Sequence, residues 1–131
     1  MEKYNSIKSI IMELNELLVV YGYMIQNAPT EEARRMSELN KKTVITTKIF
    51  LETMYCKIFG EAIPDLGEAA KDVPVFADFR AAAQYACKEE TEVISRLKNL
   101  YLKTESCYHD TIFSCLVEHQ LNAMRMLYLL T

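Results

Sequence analysis

The sequence predicts an all-α fold, one four-helix bundle spanning residues 1–131 with a long crossover between its second and third helices. Three observations carry that expectation. In four separate stretches the apolar residues recur at alternating steps of three and four, which keeps them on one side of a helix. Half of the 131 residues are hydrophobic and a quarter are charged, with only three glycines and three prolines to interrupt helices. Such a balance suits one folded, helix-rich domain. The stretch from Glu61 to Val73 lacks the helical spacing and carries Pro64 and Gly67, so it is the expected connection between two helical hairpins.

The first helix is expected over residues 3–27, where Ile7, Ile10, Leu14, Leu17, Tyr21 and Met24 share a stripe that Ile11, Leu18 and Ile25 widen. Asn27, Ala28 and Pro29 break it. Thr30 then caps the second helix, Glu31 and Glu32 favour its positive N-terminal end, and Gly60 stops it after Phe59. After Asp72 and Pro74 the spacing resumes through Phe76, Phe79, Ala83, Ala86, Glu90, Val93, Leu97 and Tyr101, which predicts a third helix of about eight turns. Thr104 and Ser106 mark its end. The fourth helix carries Ile112, Cys115, Leu116, His119, Ala123, Met126, Leu129 and Leu130 inward and runs to the chain end.

Charge and cysteine usage narrow the function. A formal net charge of −3 offers no general attraction to nucleic acid or anionic membranes, and neither is an expected partner. The most apolar early segment, Ile10 to Ile25, is interrupted by Glu13, Asn15 and Glu16, so neither secretion nor membrane spanning is expected. The expected location is the cytoplasm. Among Cys56, Cys87, Cys107 and Cys115 no pair has the C-x-x-C spacing of a zinc or redox site, and reduced core thiols are the expectation.

Tyr21 followed by Asn27-Ala28-Pro29, then Phe50-Leu51-Glu52-Thr53-Met54-Tyr55 leading to Phe59-Gly60, and finally His119-Gln120-Leu121-Asn122-Ala123 followed by Arg125 form a set of anchors. This set resembles the ferritin-like superfamily, in particular the small rubrerythrin-like proteins of bacteria, over nearly the whole chain. The resemblance implies two helices that each give one glutamate and two that each give Glu-x-x-His, surrounding a pair of metal ions. The chain departs from that pattern. The resemblance puts Leu14 at the first glutamate position, and Val44 and Thr47 where the first Glu-x-x-His stands. Glu90 holds the later glutamate position, and the closing motif is His119-x-x-Asn122. With the register slipped by one turn, Glu16 or Glu118 would matter instead.

Glu90 falls on the apolar stripe of the third helix, where an unpaired charge is costly, so it requires a partner. His119 lies on the inner stripe of the fourth helix, one turn from Asn122. Two readings of the pair stay open: a buried hydrogen-bond network that sets helix register, or a single metal ion held by Glu90, His119 and water. Tyr21, Thr43 and Thr47 stand near the same level, so the expected polar core set is Tyr21, Thr43, Thr47, Glu90, His119 and Asn122. His109 and Cys107 together lack the third and fourth ligands of a structural zinc site.

Eight tyrosines in 131 residues, and apolar Val19, Val20 and Tyr23 outside the main stripe of the first helix, lead to the expectation of a homodimer. The leading functional expectation is a non-catalytic binding or assembly module without a complete dinuclear site and without a cofactor. The alternative is a ferritin-like oxidoreductase or iron-handling protein with iron or manganese on displaced ligands, drawn from Glu16, Glu52, Glu90, Glu118 and His119. A third reading is an apolar small-molecule carrier, distinguished by an enclosed cavity beside Glu90 and His119 in place of packed Leu14, Val44 and Phe50.

Overall fold

Helix ends are set locally, and their capping chemistry is visible in the computed structural model, which describes residues 2–64 and 73–131. Helix α1 (Glu2–Gln26) ends where the Asn27 side-chain amide donates to the Tyr23 carbonyl at 2.8 Å. In α2 (Glu31–Phe59) the Thr30 hydroxyl accepts from the Ala33 N–H at 3.0 Å. Gly60 closes that helix at φ 74°, a left-handed conformation that disfavours any side chain with a Cβ. Helix α3 spans Phe79–Lys103, and α4 spans His109–Leu130 after a short 3₁₀ turn. The described residues contain no strand, so the fold is all-α.

The start of the third helix differs from expectation. Residues 73–77 are not helical, and Asp78 is the N-cap, its carboxylate accepting from the Ala81 N–H at 2.8 Å. Pro74 pushes the residue before it toward extended backbone, whereas Asp78 satisfies an otherwise orphaned donor. Phe76 still packs inward, with ring centroids 5.4 Å from both Tyr23 and Tyr85. Much of the expected crossover, residues 65–72, lies outside the described residues.

Helix α1 packs against α2 and α3, and α4 packs against α3 and α2. Contacts along the helices give their directions. Tyr21 meets Glu90 while Glu13 meets Arg96, so α1 and α3 run antiparallel. Asn40 meets Asn122 while Thr47 meets His119, so α2 and α4 do as well. The sequence of pairings from Arg80–Leu130 to Glu90–His119 makes α3 and α4 antiparallel too.

The shared interior holds Leu14, Leu17, Leu51, Leu97 and Leu100, all essentially fully buried. Burial of each such side chain contributes roughly 1.5–3 kcal/mol. Two sequence expectations change here. Val20 belongs to this core and Tyr23 packs on Phe76, so only Val19 of the supposed outer face of α1 is left exposed. All four cysteines are free, but Cys56 and Cys107 are exposed, Cys56 because it faces away from the inner stripe of α2 and Cys107 because it lies in the 3₁₀ turn before α4. Among the described residues no helix is long and apolar enough to cross a membrane.

Candidate functional site

At mid-height in the bundle each helix turns a polar side chain inward, and these groups bond to one another. Glu90 of α3 is the hub and is fully buried. Its Oε1 accepts from His119 Nδ1 at 2.6 Å, and its Oε2 accepts from the Tyr21 hydroxyl at 2.6 Å and the Asn122 amide at 2.8 Å. On the far side of the imidazole, His119 Nε2 lies 2.8 Å from the Thr47 hydroxyl. With Glu90 ionised, the ring proton is assigned to Nδ1, and Nε2 of the neutral ring accepts from Thr47. A buried charge thus receives three charge-assisted bonds, which is what its burial requires.

Two residues outside the polar set expected from the sequence complete the network. The Asn40 side-chain amide donates to the Tyr21 hydroxyl at 3.1 Å and to the Asn122 carbonyl at 3.0 Å, while the Asn122 amide donates to the Asn40 carbonyl at 3.2 Å. This reciprocal pair ties α2 to α4. Arg125 Nη1 then donates to the side-chain oxygens of Asn40 and Asn122 at 3.1 and 3.2 Å. Asn40 is detectable in principle, since it lies on the same inner stripe as Ala33, Ser37, Val44, Thr47 and Leu51. Arg125 carries no such signal.

Burial pushes the Tyr21 phenol well above its ordinary range, and the negative charge of Glu90 adds to that effect. It remains a donor to the carboxylate at neutral pH. Burial likewise raises the Cys115 thiol; its contact with the Thr47 hydroxyl opposes that shift, and nearby Glu118 adds to it.

The donor set does not fit a dinuclear metal cage. Leu14 and Val44 fill two expected ligand positions with fully buried aliphatic groups, and Thr47 occupies a third with its hydroxyl already bonded to His119. The 2.6 Å contact between Glu90 and His119 joins carboxylate and imidazole directly, and their other polar atoms are also bonded to protein groups. Few anionic donors are left for two divalent ions. Glu16, Glu52 and Glu118 stand apart from that pair: among the described residues, the group with metal-ligand proximity is Glu13, Glu16 and Glu89. There the Arg96 guanidinium already lies 3.2 Å from Glu13. Burial raises the Glu89 carboxyl, helped by Glu92 and opposed by Arg96, and its Oε2 is buried without a hydrogen-bond partner.

Glu90, His119 and Thr47 also align as carboxylate, imidazole and hydroxyl, the order used in hydrolytic triads. Thr47 is 1% exposed, however, and backbone N–H groups in mid-helix are consumed by the helix's own bonds. Nucleophilic attack requires an accessible hydroxyl and oxyanion donors.

The network's outer edge forms one wall of an open groove of about 380 Å³ between α2 and α4. Thr47 and Cys115 form its inner wall, and Thr43 lies along its side. Leu39 and Phe50 supply apolar surface, Thr46, Thr111 and Ser114 supply hydroxyls, and Lys42, Arg125 and Glu118 supply charge. Its volume is in the range of small-molecule pockets, roughly 300–1,000 Å³. His109 is placed elsewhere, stacked on Tyr101 with ring centroids 4.2 Å apart and its Nε2 3.0 Å from the Thr104 carbonyl.

Comparisons with protein-family models, curated proteins and solved structures find no match to this chain. Its functional reading therefore rests on the network and the groove.

Proposed function

We propose that the protein is a ferritin-like four-helix bundle acting as a non-catalytic binding module, in which side-chain hydrogen bonds replace the metal cage and the α2–α4 groove takes the ligand. The observation carrying this reading is that Glu90 and His119 bond to each other and to Tyr21, Asn122 and Thr47. The helix directions support the ferritin-like part. Because α1 is antiparallel to α3 and pairs with α2 through a short turn, α2 and α3 point the same way, which calls for a crossover along the bundle.

The groove suits a small amphipathic ligand with an anionic head. Lys42 and Arg125 offer two cations against the one carboxylate of Glu118, and Leu39 with Phe50 offers an apolar bed. Asn40 and Asn122 hold Arg125 in place, so less side-chain freedom is lost on binding. Short-chain and medium-chain carboxylic acids are the probe class.

Two measurements test the reading on untagged protein. Elemental analysis is expected to find iron, manganese and zinc far below one ion per chain. Titration with octanoate, followed by amide NMR, is expected to shift Thr43, Thr46 and Ser114, with weakened binding in Lys42→Gln. Stoichiometric metal that disappears in both Glu90→Ala and His119→Ala would restore the metal-protein alternative. Metal-free protein whose groove signals ignore carboxylic acids of every chain length would refute the assigned ligand class.

A further inference from the structure

Helix α4 is apolar on two opposite sides. One side faces the core through Ile112, Cys115, His119, Asn122, Ala123 and Met126. The other presents Phe113, Val117, Leu121, Met124 and Tyr128 at 57, 36, 38, 61 and 55% exposure. Steps of four, four, three and four residues keep these five on one stripe of the helix. Leu127, 54% exposed, borders it. With side chains of this size presenting about 150–250 Å² when bare, the stripe amounts to roughly 550 Å² of apolar surface. That is near the upper end for a patch on a monomer, and a standard interface takes about 800 Å² from each partner.

We infer that this stripe is the contact face of a homodimer, in which α4 of one copy packs antiparallel against α4 of the other. The apolar area and the opposite charges along one flank argue for a second copy as the occupant. A twofold axis beside Gln120 and Leu121 pairs Phe113 with the partner's Tyr128 and Val117 with the partner's Met124. Each pair then recurs symmetrically on the other side of the axis. Large side chains meet across both ends of the interface, and the smaller Val117 meets the flexible thioether of Met124.

Charge along one flank agrees with the same register. Glu118 and Arg125 lie on the groove side of α4, two turns apart. A twofold axis perpendicular to antiparallel helices brings like flanks together, so Glu118 lies about two residues, roughly 3 Å along the helix, from the level of the partner's Arg125. The attraction occurs twice in the dimer. A parallel twofold pair would put these charged flanks on opposite sides of the interface and forfeit the attraction. The dimer face also adjoins the groove, since Glu118 and Arg125 border both.

Sedimentation equilibrium of the full chain over a wide concentration range tests this inference. The expected mass is twice the 15.2 kDa of one chain. Met124→Glu, at an exposed position, introduces two charges into the face by symmetry and is expected to weaken association by roughly 100-fold or more while helicity is retained. Phe113→Lys at the opposite end provides the second variant should the first fold poorly. Ile49→Glu, on α2 and 58% exposed, is the control and is expected to stay dimeric. A Val117→Cys, Met124→Cys double variant is expected to form an intermolecular disulfide on mild oxidation, which reads the register directly. Monomeric wild type, or dimers disrupted by Ile49→Glu and untouched by the α4 variants, would overturn the inference.

Discussion

Replacing Glu90 by alanine strips the acceptor from three buried donors at once. Tyr21, His119 and Asn122 each give Glu90 a bond of 2.6 to 2.8 Å. A hydrogen bond to a charged group has a net value of about 1.5–3 kcal/mol. Simple addition overstates the loss, because removing the carboxylate also removes the cost of keeping it out of water. Three buried donors left without an acceptor cost about 1–3 kcal/mol each, and after that offset a net loss of about 3–5 kcal/mol is the working figure. At this chain length each kcal/mol moves the melting temperature by about 3–5 °C, so Glu90→Ala is expected to melt roughly 10–20 °C below the wild type. Glu90→Gln is a milder test of the same network. Its amide oxygen still accepts from Tyr21 and Asn122, and its amide nitrogen donates to His119 once the ring proton moves to Nε2. A loss of about 1–2 kcal/mol is expected. Calorimetry of both variants decides. An alanine variant within about 3 °C of the wild type, or a glutamine variant equally damaged, would show that these bonds do not hold the core together.

Glu89 has its carboxyl raised by burial, so the folded state holds that proton more tightly than the unfolded chain. Its contribution is fully present below the ordinary carboxylate range of about 4.3 and is lost as pH rises through the folded value; Glu89→Gln should therefore gain in melting temperature over the wild type from pH 4 to pH 7. A gap that stays constant or shrinks contradicts the assignment. Tyr21 is raised well above its ordinary value, so its contribution is present up to about pH 10 and lost as alkali titrates the folded phenol. Tyr21→Phe should cost about 1–2 kcal/mol at neutral pH and blunt the alkaline loss of stability, as followed by calorimetry against pH. Under a limiting alkylating reagent, exposed Cys56 and Cys107 should react before Cys115, which is 7% exposed and has a raised thiol pKa. Peptide mass spectrometry reads that order, and early Cys115 labelling would mean the α2–α4 seam opens readily.

Much of the helical frame is legible in the sequence. Thr30, Gly60 and the alternating apolar spacing mark their elements because capping and periodicity act over a few neighbouring residues. The start of α3 is not legible in the same way, since Pro74 and Asp78 compete as boundary signals and the inward packing of Phe76 extends the apolar spacing past the true helix start. For the site, Glu90 and His119 stand out as polar groups on apolar stripes, whereas Thr43 lies along the groove beside the network. Asn40 carries the same stripe signal, but the resemblance to a metal-binding family bears on Val44 and Thr47 and assigns Asn40 no role.

By itself the sequence determined that this chain forms helices, where most of them begin and end, and that Glu90 requires a partner inside. Those facts follow from interactions within a few turns of one helix. Only the tertiary structure decided that Glu90 has Tyr21, His119 and Asn122 as partners, that Arg125 joins Asn40 and Asn122, and that α4 keeps a second apolar face outside the core. These depend on the rotation and height of one helix against another, and apolar periodicity leaves both free to shift by most of a turn.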